Sequence, residues 1–152
     1  MSIFKDDPIE LKVSKKDGTS ATELSGATLE IYEKAAGTTG ALIQRFTTDG
    51  SVVTIPNNLL KAGMTYVLRE KEAPAGYAYA ADIEFTLNTD GSITTAAEKN
   101  GQTMIMRDQP VYTTITKVDD SSPAVAVINA TLAVYDESNT EVLRFVTGSS
   151  PY

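Results

Sequence analysis

The chain has 152 residues, 20 acidic against 13 basic side chains, a formal net charge of −7, and neither cysteine nor histidine. Disulfides, thiolate or imidazole metal sites and Ser-His-Asp chemistry are thereby excluded, and no cofactor is expected. The acidic balance argues against a nucleic-acid partner, because phosphate binding wants a basic face.

No apolar run approaches the roughly 20 residues that span a bilayer, so no membrane insertion is expected of this stretch. Residues 1–8 lack the apolar core of a signal peptide. From there the periodicity is that of strands. Ile9, Leu11 and Val13 alternate with Glu10, Lys12 and Ser14 up to a turn at Asp17-Gly18. Ala27, Leu29 and Ile31 alternate with Thr28, Glu30 and Tyr32, which predicts one core face and one wet face. Asp49-Gly50 and Pro56-Asn57-Asn58 mark further turns, and Asn58 to Ala62, closed by Gly63, reads as about one helical turn. Ile83, Phe85 and Leu87 alternate with Glu84 and Thr86, and Asp90-Gly91 after them predicts a hairpin. Asn100-Gly101 marks the last turn before Met104 and Met106. Short strands at this spacing predict an all-β, antiparallel, immunoglobulin-like sandwich.

The sequence also matches itself. Ile3-Phe4-Lys5-Asp6-Asp7-Pro8-Ile9 aligns with Ile105-Met106-Arg107-Asp108-Gln109-Pro110-Val111. In the same register Val13-Ser14-Lys15-Lys16-Asp17 aligns with Ile115-Thr116-Lys117-Val118-Asp119. Beyond a small loop difference, Ala27 to Tyr32 aligns with Ala130 to Tyr135, and Arg45-Phe46 with Arg144-Phe145. This predicts a tandem repeat. Residues 1–8 are the last strand or linker of a preceding unit, 9–110 a complete domain, and 111–152 the first part of another.

Three ionisable residues stand where apolar ones are expected. Lys15 continues the stripe of Leu11 and Val13, Glu70 that of Tyr66 and Leu68, and Asp108 that of Met104 and Met106. Taken singly, each has an ordinary reading: a solvated strand end, a charged loop, a turn residue. Burying a charge costs several kcal/mol unless it is paired or neutralised, so one cation and two acids on core-facing stripes are expected to meet. Desolvation favours neutral forms, and a neutral amine can attack a polarised carboxyl carbon while a second acid moves the proton. The product is a Lys15–Asp108 amide and one water.

Two motifs carry a family resemblance. Tyr66-x-Leu68-x-Glu70-x-x-Ala73-Pro74-x-Gly76-Tyr77, and Leu24-Ser25-Gly26-Ala27-Thr28-Leu29 after a first strand ending in lysine, resemble the collagen-adhesin B-type (CnaB) domains of Gram-positive adhesins and pilins. These are small sandwiches of reverse-immunoglobulin type, and Ser14-Lys15-Lys16-Asp17 with Ile105-Met106-Arg107-Asp108 looks most like their fibronectin-binding members. The resemblance implies an intramolecular isopeptide bond, with Lys15 as nucleophile, Asp108 as acyl partner and Glu70 as catalytic acid. It implies Lys117 as the isopeptide lysine of the following unit and Asp6 as the acyl residue of the preceding one. No second Glu-x-x-Ala-Pro-x-Gly-Tyr follows Lys117.

The function expected is a structural stalk or pilin module, extracellular and attached to the cell wall, whose partners are neighbouring repeats. The reaction runs once, so the chain is not an enzyme. The alternative is an adhesive domain gripping a host matrix protein or glycan through its loops. A two-carboxylate glycosidase is disfavoured because sandwiches of this size rarely carry a deep cleft. No metal site is expected, since Asp6-Asp7 and Asp119-Asp120 lack the alternating oxygen ligands of a calcium loop.

Overall fold

Alternating apolar residues bounded by Gly, Pro, Asn and Asp produce eleven strands over the residues that the computed structural model describes, 9–152. The expectations for residues 1–8, including the role of Asp6, lie outside the described residues. The chain divides between Val111 and Tyr112 into two units.

The first unit contains β1 (Leu11–Asp17), β2 (Ser25–Ala35), β3 (Thr38–Asp49), β4 (Val53–Ile55), β5 (Met64–Glu72), β6 (Ile83–Leu87), β7 (Ile93–Thr95), β8 (Lys99–Asn100) and β9 (Thr103–Asp108). One sheet has the order β4-β1-β9-β8 and the other β3-β2-β5-β6-β7. The fold is all-β, and every strand pairing among the described residues is antiparallel but one: β1 and β9 run parallel, Val13 opposite Met104 and Lys15 opposite Met106. The first and last strands of the unit therefore lie side by side in the middle of one sheet.

The inward residues of both sheets make one core, including Val13, Leu29, Ile31, Leu68, Phe85 and Met104, each at most 1% exposed. Tyr66 and Phe85 stack with ring centroids 5.5 Å apart. The Asp90-Gly91 hairpin joins β6 to β7, where Asn88 N–H donates to Ser92 O at 2.8 Å. The helical turn expected around Asn58 to Ala62 is absent. That stretch forms turns between β4 and β5, because five residues without a long apolar face cannot offset helix nucleation.

Two residues assigned to wet faces are buried, Ser14 and Glu30. Glu30 is 1% exposed. Arg45, opposite it on β3, donates from Nε to Glu30 Oε1 at 2.7 Å, and the Tyr32 hydroxyl donates to Oε2 at 2.5 Å. Long neighbours have closed over a carboxylate that alternation alone placed in water.

The second unit holds β10 (Thr131–Tyr135) and β11 (Glu141–Val146), paired antiparallel. Its hydrogen bonds correspond to those of the first. Leu29 faces Phe46, and Leu132 faces Phe145. Leu24 N–H donates to Lys15 O at 2.7 Å, and Val127 N–H to Lys117 O at 2.8 Å. Ala27 N–H donates to Thr48 Oγ1 at 3.1 Å, and Ala130 N–H to Thr147 Oγ1 at 3.0 Å.

Candidate functional site

Strand parity carries three charged groups into the core of the first unit. On β1, Leu11, Val13 and Lys15 point inward at 2%, 0% and 0% exposure. On β9, Met104, Met106 and Asp108 do the same, and on β5 so do Tyr66, Leu68 and Glu70. β1 and β9 are neighbours in one sheet and β5 is central in the other, so the ionisable ends of the three stripes converge between the sheets.

They touch. Lys15 Nζ donates to Asp108 Oδ1, and Glu70 Oε1 stands 3.1 Å from the same nitrogen. None of the three side chains is exposed to solvent. Glu70 is oriented from behind by Ala80 N–H, which donates to Oε2 at 2.8 Å. Glu70 Oε1 and Asp108 Oδ2 have no hydrogen-bond partner. Two buried acceptors around one ammonium thus lack donors, and a proton shared into this cluster would supply one.

The electrostatics agree. Burial pushes the Glu70 carboxyl above the usual carboxylate range, and the charge of Asp108 adds to this. The Ala80 N–H and the Lys15 ammonium pull the other way without cancelling it. With both acids ionised the cluster would carry one uncompensated negative charge out of water; with Glu70 protonated it is neutral. The arrangement can therefore hold an amine against a carboxyl carbon beside a proton-bearing acid.

The other proposed site residue is placed differently. Lys117 is exposed, and its Nζ donates to Val118 O at 2.9 Å; no carboxylate pairs with it among the described residues of the second unit. Among the described residues no group of three or more acidic side chains is arranged to hold a metal ion. No helix is long and apolar enough to cross a membrane.

Sequence reasoning missed the groups around the triad. Asp17, two residues beyond Lys15, is 9% exposed and accepts from Thr19 N–H, Thr19 Oγ1 and Ser20 N–H at 2.7 Å each. The Tyr77 hydroxyl donates to its other oxygen at 2.8 Å. Those bonds hold the Asp17 carboxyl far below the usual carboxylate range. Asp-Gly-Thr-Ser was legible only as a turn, although an Asp two and three residues before free N–H groups is the signal of an Asx turn.

The chain aligns with part of the Bacillus anthracis TIE protein at 26% identity and TM-score 0.51, over 94% of this chain and 26% of that one. It aligns with the pilus adhesin RrgA from Streptococcus pneumoniae at 16% identity and TM-score 0.51, over 68% of this chain and 15% of that one. With the group B streptococcus pilus 2b backbone protein the identity is 22% and the TM-score 0.49, over 66% of this chain and 40% of that one. The chain thus spans well under half of each of these structures. No curated protein matches it. The stretch from the first core strand to the β8–β9 turn, with Lys15 and Glu70 inside it and Asp108 just beyond, matches a family model over residues 9–102, and the chain belongs to that family, the SpaA prealbumin-like fold domains.

Proposed function

We propose that residues 9–110 are a CnaB-type stalk or pilin module of a Gram-positive surface protein, cross-linked by an autocatalytic isopeptide bond between Lys15 and Asp108. The observation that carries this reading is the contact of Lys15, Asp108 and Glu70 in a core that excludes water. Such a cluster is a poor stabiliser as it stands, because desolvation offsets much of the Coulomb attraction. It is a good reactant for the same reason.

The chemistry balances without any co-reactant. Within the ion pair a proton passes from the Lys15 ammonium to the Asp108 carboxylate, leaving a free amine and a carboxylic acid. Nζ attacks Cγ and a C–N bond forms. Protonated Glu70 hydrogen-bonds the developing oxyanion and returns a proton to the leaving oxygen, so the C–O bond breaks and one water departs. Glu70 recovers its proton from the attacking nitrogen. Two charges vanish into a neutral amide, and burial protects that amide from hydrolysis. Fixed proximity supplies much of the rate.

The residues beyond 110 we read as the first part of a following unit. Supporting this is the correspondence of hydrogen bonds, such as Leu24 to Lys15 and Val127 to Lys117. In this reading Lys117 is the isopeptide lysine of that unit, and the partners are neighbouring units outside the cell.

Intact mass spectrometry tests the proposal. The wild-type chain should weigh one water less than its sequence, and Lys15→Ala, Glu70→Ala and Asp108→Ala should each restore the full mass. A wild-type chain at full mass after complete folding overturns it.

A further inference from the structure

Between β5 and β6 the chain makes a short excursion, residues 73–82, that touches the strand of every triad member. Pro74 opens a turn in which Tyr77 N–H donates to Pro74 O at 3.1 Å. Gly76 sits in that turn at φ +86°, a conformation open to glycine and costly for other residues. The next residues then bond outward in three directions. Tyr77 Oη donates to Asp17 Oδ2 at 2.8 Å, two residues from Lys15. Ala78 N–H donates to Gln109 O at 2.9 Å, one residue from Asp108. Ala80 N–H donates to Glu70 Oε2 at 2.8 Å.

From this convergence we infer that residues 76–80 are a positioning strap for the amine–carboxyl reaction, and that Tyr77 is its anchor. The inference rests on the cross-linking reading above. Each bond does a separate job. Ala80 holds one oxygen of Glu70 and so fixes the other toward Lys15 Nζ. Ala78, together with Val111 N–H donating to Gly76 O at 2.8 Å, fixes the end of β9 beyond Asp108. Tyr77 ties the strap to β1, which no backbone hydrogen bond of the strap reaches among those described. Asp17 suits this duty because its other oxygen already holds Thr19 and Ser20, so the acceptor cannot turn away. Tyr77 acts through Asp17 and, along the strap, through Ala80.

Removing the Tyr77 hydroxyl should loosen the strap while leaving the core intact. Water then reaches Glu70 more easily, and its carboxyl moves back toward the ordinary range, since burial is what raised it. The protonated acid does the work, so the rate of bond formation falls as pH rises through the Glu70 pKa. That falling limb should move to lower pH in Tyr77→Phe.

The test starts from the full 152-residue chain made unfolded and unreacted by chemical synthesis, dilutes it from denaturant for its first folding, and follows the loss of one water by intact mass in wild type and Tyr77→Phe. We expect Tyr77→Phe to react roughly tenfold more slowly, the rate equivalent of one lost hydrogen bond. The pH limb should shift as described. Amide exchange at Ala78 and Ala80 should quicken while exchange at core amides such as Leu29 and Phe85 stays unchanged, which separates a local strap from general destabilisation. Should Tyr77→Phe fail to fold by circular dichroism, Asp17→Asn keeps the ring and should move the same readouts in the same direction. A wild-type rate with an unchanged pH limb overturns the inference. Wild type without a mass deficit sinks the cross-linking reading instead. The positioning role then falls with it, and exchange at Ala80 decides only the anchor: quickened in Tyr77→Phe, Tyr77 holds residues 76–80 in place; unchanged, it does not.

Discussion

Lys15 reaches Asp108 diagonally. In the parallel β1–β9 pair the residue opposite Lys15 is Met106, and the residue opposite Asp108 is Asp17. The long lysine side chain spans the difference of two residues along the strand, so its nitrogen arrives at the end of the core rather than at its centre. There it meets Glu70 from the other sheet, 3.1 Å away. A shorter base or an antiparallel last strand would not bring the same atoms together. This geometry makes single substitutions within the cluster informative.

Removing one member of the ion pair should be worse than removing both. Lys15→Ala leaves two acids in the core without a cation, and Asp108→Ala leaves an amine with one acid. Breaking a buried pair in this way costs about 3–5 kcal/mol. If the cross-link forms, either change also removes a loop closure worth on the order of 4–5 kcal/mol. The double variant Lys15→Met/Asp108→Val should be more stable than either single variant, because it leaves only Glu70, whose raised carboxyl can keep a proton and its bond from Ala80 N–H. Urea unfolding monitored by circular dichroism gives the ranking; single variants as stable as the double would contradict the account.

Glu70 should set the pH dependence of bond formation. Its carboxyl is raised by burial, so its working, protonated form persists to higher pH than an exposed glutamate would allow. The rate should be highest on the acid side of that raised pKa and fall above it. In Glu70→Gln the limb should disappear and the rate should drop by roughly 10²–10⁴, the usual contribution of a positioned acid. Quenched first folding of synthetic, unreacted chain at a series of pH values, read by intact mass, measures both. Stability follows the same sign in the unreacted protein. A carboxyl raised in the folded state destabilises as pH climbs from its unfolded value through its folded one, so unreacted chain should be more stable at the acid end of that window.

How much of this was legible beforehand is clear from particular residues. Period-two alternation placed Lys15, Glu70 and Asp108 on inward stripes, because parity is a local property of each strand. It could not say which strands are neighbours. The parallel pairing of β1 with β9 brings Lys15 within reach of Asp108, 93 positions away, and nothing local encodes it. Alternation also put Glu30 in water, whereas Arg45 and Tyr32 bury it; a side chain's exposure depends on the reach of neighbours that the pattern of one strand does not contain. Tyr77 and Pro74 read as a turn, and a turn they are. That the turn is fastened to Asp17 through a hydroxyl depends on tertiary structure alone.

The Glu30 cluster gives a third prediction. Arg45 and the Tyr32 hydroxyl both hold the Glu30 carboxyl below the ordinary range, the hydroxyl most strongly. A depressed carboxyl contributes stability above its unfolded pKa and loses it as pH falls through the folded value. Arg45→Ala should therefore lower Tm at neutral pH and flatten the decline of Tm on the acid side. Arg69→Ala, which breaks a pair with the exposed Asp82, should change Tm less. Differential scanning calorimetry across the acid range makes the comparison, and an Arg69→Ala penalty equal to that of Arg45→Ala would count against the burial argument.

The strongest consequence of the proposed bond is mechanical. Lys15 lies near the start of the unit and Asp108 near its end, on adjacent strands. Force applied along the chain enters through β1 and leaves through β9. An amide between those strands carries the load directly, and the residues between them stay slack. Without it, the chain between Lys15 and Asp108, which lie 93 positions apart, becomes free to extend once the sheets part. At about 3.4 Å per residue that is roughly 300 Å of added length. Single-molecule stretching between handles on Ile9 and Val111 should show no such step in wild type and a step of about that size in Glu70→Gln, where the strands are present but the bond is not. A full-length step in fully reacted wild-type chain would mean that the bond, if formed, does not lie on the path of force. The same step should vanish from Glu70→Gln only if some other closure joins β1 to β9, which intact mass on the same sample would reveal. Because an amide is indifferent to thiols, the wild-type trace should not change with reductant, unlike that of a domain closed by a disulfide.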